Sequence, residues 1–433
     1  MDVLNVTGSN IVSIRNLIII RWISTVYLTM GLIYSLLSGA VEVMLKNFGL
    51  GNQVIATLTS LLILPYVLKP FIAPFLEFGF SKTAYIRVCQ FSMAFLFFLI
   101  AVNVIDIRSI GAVYIILLLV AILGSVQDIS TDGFSLTELS KPEQALFSSY
   151  MAVCWCVGAF VSSGLLVSIS GYLHQTLLME WLYAWRIIFA VVSFYLLVIA
   201  LYHSFFLPAD GLRKKAISEP DSLSKLRINI TSFFEKPGVG TIILFIFFFR
   251  FSEGMSDRLV PLFFLDDLSV GGLGLSNIEV GTIFGSAGLI AFLAGNILGG
   301  LTVFKLGLKR CIFPMCLIAN LPHLAYCFLA LNSESSLLSV TSVVVFEKFM
   351  FGIGVPAQMI FMMTYLGDGE FRMSHFAFGT GIMAFSIFLS GIFGGLIQSI
   401  FGYKLFFMFM LIPTVCAIYF SYFVTATTAA SRN

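Results

Sequence analysis

Two aspartates stand at the end of an apolar run, in the segment Gly124-Ser-Val-Gln-Asp128-Ile-Ser-Thr-Asp132-Gly133. Their spacing of four residues places both carboxylates on one face of a helix. A charged side chain at the centre of a bilayer costs about 2.5–3.5 kcal/mol even on a lenient scale, so this face is expected to meet a polar cavity. The alternative is that both aspartates lie among the lipid headgroups, because Asp132 comes close to the expected end of the helix.

Other charged residues interrupt apolar runs further along the chain. They are Arg21, Arg250, Glu253, Asp257, Arg258, Glu347 and Lys348. Together with the two aspartates they fall on the first, fourth, seventh and tenth of the spans assigned below. A fold built from three-helix repeats would produce this pattern if the first helix of each repeat lined an aqueous cavity. Lys69 is the exception, and we interpret it as a structural lysine that reaches the headgroups from a proline-broken helix end.

These side chains suggest two kinds of chemistry. Arg250, with help from Arg21, could hold an anionic group, since a guanidinium binds carboxylate or phosphate through two hydrogen bonds. Asp128, Glu253 and Glu347 are candidates for proton binding, and ionisable residues inside membrane spans are functional-site hypotheses by default. Asp132 shares the face of Asp128, and we include it among the proton-coupling candidates.

Structural roles remain open for several of the same residues. Arg250 and Glu253 are three residues apart and could form an intrahelical ion pair. Glu347 could be a neutral, hydrogen-bonded carboxyl, or it could pair with Lys348. Asp257 and Arg258 could lie at the membrane interface.

The composition indicates the class of protein. Of 433 residues, 59% are hydrophobic and 11% are charged, and the mean hydropathy is +1.01, whereas soluble domains carry about 25% charged residues. Long apolar windows without alternation predict an all-α membrane protein rather than a β-barrel. A net charge of +2 does not indicate nucleic-acid binding. Seven scattered cysteines and four histidines predict free thiols, no metal site and no cofactor.

Apolar runs of about 20 residues predict twelve transmembrane helices in two pseudo-symmetric six-helix halves. The predicted spans are 17–40, 51–73, 84–105, 109–133, 145–172, 182–207, 238–263, 277–303, 309–331, 337–365, 374–400 and 404–426. The predicted domains are residues 1–207 and 237–433, joined by a polar loop at 208–236. Basic residues concentrate in the loops after even-numbered spans, which predicts that both termini and the central loop are cytoplasmic.

Motifs on the fourth, seventh and tenth spans, and after the tenth, resemble those of a known family. They are Ser125-Val-Gln127-Asp128-Ile-Ser-Thr-Asp132-Gly133-Phe134, Arg250-Phe-Ser-Glu253 with Pro261-Leu-Phe-Phe-Leu-Asp266 and Gly274-Leu-Ser276-Asn-Ile-Glu279-Val-Gly281, and Glu347-Lys-Phe-Met-Phe-Gly352-Ile-Gly354 with Ser374-His375-Phe-Ala377-Phe. The family is the major facilitator superfamily, in the branch of bacterial AmpG-type muropeptide permeases and eukaryotic acetyl-coenzyme A transporters. The resemblance covers nearly the whole chain.

The resemblance implies the twelve-helix fold of that family and alternating access by rocking of the two halves. We expect Gln127, inside the matched motif, to contact the solute together with Arg250 and Arg21. The chain departs from the family pattern after the second span, where Glu77 replaces the usual aspartate. Glu253 also stands where many relatives have aspartate.

The leading hypothesis is a monomeric, proton-driven transporter of a bulky, partly anionic solute across a bacterial inner membrane. A muropeptide or another peptide-like compound fits, and the alternatives are a siderophore or acetyl-coenzyme A. A membrane-embedded enzyme is disfavoured because the sequence has no nucleophile elbow, phosphate-binding glycine loop or metal-ligand motif. A solute sensor is disfavoured because little of the chain outside the spans could form an output domain.

Overall fold

The computed structural model describes residues 3–77, 81–102, 110–208, 228, 230–332, 335–366 and 372–430. Within these ranges every regular element is helical, as the hydropathy pattern predicts. Ten helices are long and apolar enough to cross a membrane, and a shorter apolar helix lies at Asn52–Val67. One of the ten, Phe378–Thr425, is interrupted at Gly402, whose φ of 72° is not helical. This arrangement is consistent with twelve spans.

The described residues before the predicted central loop, here called the first half, form six helical segments. They are α1 (Val3–Ser35, Leu36–Ala40 and Val41–Asn47), α2 (Asn52–Val67 and Lys69–Glu77), α3 (Lys82–Val102), α4 (Ile110–Glu138), α5 (Lys141–Ala159, Phe160–Leu166 and Val167–Gln175) and α6 (Trp181–Phe206). Most of the predicted central loop, residues 209–227 and 229, lies outside the described residues.

The second half contains the remaining spans. They are α7 (Val239–Leu265), α8 (Asn277–Val280, Gly281–Gly288 and Leu289–Leu306), α9 (Leu308–Asn320 and His323–Leu331), α10 (Leu337–Phe361 and Met362–Leu366), and α11 and α12, which are the two parts of Arg372–Ala430 before and after Gly402.

The two halves approach each other closely where α5 meets α8. Each helix has a π-helical stretch there, at Phe160–Leu166 and Gly281–Gly288. A Cβ atom on Gly285 would lie 2.2 Å from the carbonyl oxygen of Ser163, and one on Gly164 would lie 2.6 Å from the Ser286 hydroxyl. Side chains at these two glycines would therefore force the backbones apart, as expected for small residues at a helix interface.

Candidate functional site: a cavity between the halves and its charged groups

A cavity of about 860 Å3 lies between the halves and reaches one end of the bundle. We call this end, where α2 ends and α3 begins, the open end; the opposite end, where α1 ends and α2 begins, is the closed end. Helices α1–α5 supply a wall that includes Tyr27, Tyr34, Tyr66, Lys69, Lys82, Tyr85 and Asp132. Helix α11 supplies a mainly apolar wall that includes Phe376, Met383, Ala384 and Ile387. The two walls of the cavity therefore differ in polarity.

Lys69 and Asp128 form an ion pair between α2 and α4. The Lys69 ammonium also lies 5.1 Å from the centre of the Tyr66 ring, close enough for a cation–π contact. The helix break at Leu68, before Pro70, puts Lys69 at the start of a new helical segment. Our interpretation of Lys69 as a headgroup-seeking lysine is therefore wrong, because its side chain lines the cavity.

Asp132 lies one helical turn beyond Asp128, and its side chain is exposed to the cavity. Its carboxylate interacts with the hydroxyl of Tyr27, which also lies 3.0 Å from the Ser135 hydroxyl. Asp132 thus lines the cavity directly, whereas the buried Asp128 is connected to the cavity through its ion pair with Lys69.

The predicted solute contacts lie in different places. Gln127 is buried beside Asp128, and its Oε1 has no hydrogen-bond partner among the described residues. Arg250 is partly buried, and its guanidinium carbon is 5.3 Å from the centre of the Phe351 ring. Arg21 is exposed and is not among the described residues that line the cavity. A spacing of six residues turns it about 120° away from Tyr27 on the helix.

A buried network in the second half is centred on the Lys348 ammonium of α10. This ammonium donates to Glu253 Oε1 at 2.6 Å and to Asp257 Oδ1 at 2.7 Å, both on α7. Glu253 is 3% exposed, whereas the Asp257 side chain is 48% exposed. Glu253 therefore pairs with a residue of another helix, and Asp257 connects the buried network to open space.

Glu347 and His323 extend the same network. The hydroxyl of Tyr326 donates to Glu347 Oε2 at 3.0 Å, and the Lys348 ammonium is 3.6 Å from the same oxygen. His323 Nε2 lies 3.3 Å from Glu253 Oε2 and 3.9 Å from Glu347 Oε1. Glu347 and His323 are both fully buried. Three carboxylates thus surround a single ammonium, and the imidazole lies between two of them.

The ligand atoms of Glu253, His323 and Glu347 all lie within 4.8 Å of one another, the spacing of a metal site. The Lys348 ammonium already contacts both glutamates. The ammonium lies against the oxygens of these glutamates that face away from His323, so a cation of the protein already balances part of the negative charge of this group.

Contacts between the two halves close the opposite end of the cavity. Lys46 of α1 forms an ion pair with Asp266. The Asn52 amide and the Tyr403 hydroxyl each donate to Asp266 Oδ2 at 2.6 Å. Asp266 follows α7, so its carboxylate joins the ends of α1, α2, α7 and α12.

A buried ion pair lies deeper at the closed end. Arg258 of α7 has its Nη1 atom 3.6 Å from Glu42 Oε2 of α1, and it also donates to the carbonyl of Ser38. Arg258 is 3% exposed and Glu42 is fully buried. Neither carboxylate oxygen of Glu42 has a hydrogen-bond partner in the part of the chain that the structure describes. Arg258 is therefore an interhalf residue rather than a membrane-interface one.

Sequence reasoning missed two residues of these clusters, Glu42 and His323, and it missed the pairing of Lys69 with Asp128. A sequence signal existed for each, because Glu42 and His323 are polar residues inside apolar runs and Lys69 adjoins a proline. The pattern of charges on every third span does not include α2 and α9, which carry Lys69 and His323.

The all-helical fold of the described residues, the cavity and the contacts that close its opposite end are features of a multi-pass membrane transporter. The family model described as Major Facilitator Superfamily matches residues 23–373. The chain belongs to this superfamily.

Curated relatives share low identity over long stretches. An uncharacterised protein of Haemophilus influenzae is 22% identical over 88% of this chain and 88% of its own length. A Rickettsia conorii protein named as a candidate transporter, AmpG 4, is 21% identical over 87% of this chain and 89% of its own length. The anhydromuropeptide permease of Escherichia coli K12 is 22% identical over 68% of this chain and 56% of the permease.

Solved structures show the same fold. A bacterial homologue of the human lysosomal transporter Spinster, in an inward-facing and unoccupied conformation, has a TM-score of 0.75 at 15% identity, covering 95% of this chain and 97% of that one. A D-xylose–proton symporter has a TM-score of 0.71 at 12% identity, covering 93% and 97%.

Proposed function

We propose that this protein is a proton-coupled permease for a bulky, partly anionic solute of the muropeptide kind, working by alternating access. The observation that carries the proposal is the cavity of about 860 Å3, which reaches one end of the bundle and is closed at the other by contacts between the halves. Such a geometry suits a carrier that exposes one binding site to each side in turn. The volume is within the usual range of small-molecule sites, about 300–1,000 Å3.

The proposed solute class follows from the charged groups and the relatives. Arg250 carries a guanidinium whose buried Nε has no hydrogen-bond partner within the described ranges. It is not among the described residues that line the cavity in this state, so we propose that this donor meets an acidic group of the solute when the halves rock. The Escherichia coli relative is named an anhydromuropeptide permease, and a muropeptide is a large solute with acidic groups. Arg250→Lys should weaken binding although it keeps the charge, since lysine lacks the planar fork.

Proton coupling follows from the charge balance of the Lys348 network. Glu253, Asp257 and Glu347 would bring three negative charges to one ammonium if all were ionised, and two of them are buried. Excess buried negative charge is costly, and binding a proton removes it. Glu347 is the best candidate for that proton, because it is fully buried and its Oε1 accepts no hydrogen bond from any described residue.

The proposed setting is a bacterial inner membrane with both termini in the cytoplasm, which makes the present state inward-open.

The experiment uses proteoliposomes loaded with unlabelled anhydromuropeptide. Glu347→Gln mimics the protonated form, so this variant should still exchange labelled for unlabelled solute but fail to accumulate it when a pH gradient is imposed. Glu180→Gln, at an exposed position before α6, is the matched control. Parental accumulation by Glu347→Gln would remove that residue from coupling, and absence of flux in the parent would refute the proposed transport.

A further inference from the structure

We infer that the polar wall formed by α2, α3 and α4 is a recognition site for a zwitterion, so that the transported solute carries a free ammonium and a free carboxylate. This inference rests on the proposed function and names its substrate class. The site consists of Lys69, Lys82, Asp128 and Asp132, two ammonium groups and two carboxylates along one side of the cavity.

The wall carries two carboxylates between two ammonium groups. Lys69 pairs with Asp128, and Asp132 follows one turn later on the same face of α4. The Lys82 ammonium then donates to the carbonyl oxygen of Gly133 at 2.8 Å. The wall therefore has no net charge when all four groups are ionised, which matches a ligand of zero local charge better than a plain anion.

The arrangement allows a zwitterion to exchange partners with the protein. A carboxylate of the ligand can pair with the Lys69 ammonium, while an ammonium of the ligand pairs with the carboxylates of Asp128 and Asp132. Lys69 and Asp128 then each have a partner of opposite charge before and after binding. A simple anion would leave Asp128 without its cation in a largely buried position, its side chain being 11% exposed, and an unpaired charge of that kind is costly.

The charged groups of this wall are accessible from the cavity, unlike an ion pair that only joins two helices. The Lys69 side chain is 31% exposed, and both Lys69 and Asp132 line the cavity. The same wall carries tyrosine rings that are held in fixed positions. Tyr66 packs edge-on against Tyr34, with ring centres 5.1 Å apart. Rigid rings lose little conformational entropy when a ligand covers them.

The opposite wall fixes how such a solute would lie. Phe376, Met383 and Ile387 of α11 face the charged wall across the cavity. The ionised groups of the solute would contact α2–α4, and its less polar part would contact α11. The substrate class is therefore a peptide-like compound with both termini, or equivalent side-chain groups, unblocked.

The test measures binding to the full-length protein in lipid nanodiscs by calorimetry. The probes are tetraalanine, its N-acetylated form and its C-amidated form. The free peptide is expected to bind at least about tenfold more tightly than either blocked form, because each block removes one charged hydrogen bond. Equal binding of all three peptides, or binding of none, would overturn the proposal.

Variants separate recognition from helix packing. Asp132→Asn should abolish the preference for the free amine but keep the preference for the free carboxylate, whereas Asp267→Asn, at an exposed position of the closed end, should change neither. The double variant Lys69→Asp/Asp128→Lys keeps the ion pair with its polarity reversed. If the Lys69–Asp128 pair only holds α2 and α4 together, this variant should bind the peptides with the affinity and selectivity of the parent. That result would refute the zwitterion site.

The outcomes also separate this inference from the proposed function. If proteoliposomes carry no anhydromuropeptide, proton-coupled muropeptide transport fails, but the peptide series still decides whether the wall recognises both charges. If muropeptide is carried and the blocked peptides bind as well as the free one, only the zwitterion site fails.

Discussion

Lys348→Met tests whether the second half depends on the ammonium at the centre of its carboxylate network. The substitution removes contacts of 2.6 Å to Glu253 and 2.7 Å to Asp257 while keeping a side chain of similar length. At an effective dielectric constant of about 20, each contact is worth about 6 kcal/mol before desolvation. Burying the ammonium costs several kcal/mol in the other direction, and breaking a buried pair by removing one partner typically costs about 3–5 kcal/mol. We expect a loss of unfolding free energy in that range.

The assay is equilibrium unfolding of the purified variants in the same detergent. Lys404→Met, at an exposed position, makes the same chemical change without a buried partner and should cost less than about 1 kcal/mol. The double variant Lys348→Met/Glu253→Gln removes both members of the closest pair and should recover much of the loss, because no uncompensated charge is left at Glu253. The reasoning fails if Lys348→Met is as stable as Lys404→Met, or if the two effects simply add.

Three further predictions concern other parts of the structure. Gly124→Ala places a Cβ atom 2.4 Å from the Tyr66 hydroxyl and should cost about 1–3 kcal/mol in unfolding free energy, whereas Gly111→Ala, with no described atom within 4 Å of its Cβ, should not. Arg258→Met leaves the buried Glu42 carboxylate unpaired, so a cysteine introduced at Leu273 of the closed end should react several-fold faster with an impermeant thiol reagent. An unchanged rate would count against a role of the Arg258–Glu42 pair in holding the two halves together at this end. Hydrogen bonds from Arg15 and from the Ser140 backbone N–H lower the pKa of Glu143 to about 2. The stabilisation lost in Glu143→Gln should therefore be constant above about pH 4.3, vanish as the pH falls through about 2, and not exceed about 1 kcal/mol because Arg15 is half exposed; a difference in melting temperature that persists at pH 2 would contradict this.

The spans and the face shared by Asp128 and Asp132 could be predicted from the sequence because both depend on local physics. The hydrophobic thickness of a bilayer sets the length of an apolar run, and the helical repeat places residues four apart on one face. The same geometry could have shown that Arg21 and Tyr27 point in different directions.

The partners of the buried charges could not be predicted, because they depend on which helices cross and at what height. Glu253 has a neighbour three residues away with which it could pair, yet it contacts Lys348 and His323 from α10 and α9. Lys69 reaches Asp128 because the helix breaks at Leu68. Local spacing identifies the charged residues that need partners, but helix packing selects the partners.

The ion pairs fall into two classes according to what rocking of the halves would do to them. The contacts of Lys348 with Glu253 and Asp257 join helices of one half, so rigid rocking would preserve them. The pairs Arg258–Glu42 and Lys46–Asp266 join different halves, so opening of the closed end would separate them. Asp257 and Arg258 are neighbours on α7. Asp257 takes part in a pair within one half, and Arg258 takes part in a pair between the halves. A proton bound at Glu347 would change the charge of the network to which Asp257 belongs, and Asp257 is the sequence neighbour of Arg258. The electrostatic field at the Arg258–Glu42 pair would therefore change with the protonation of the proposed coupling group.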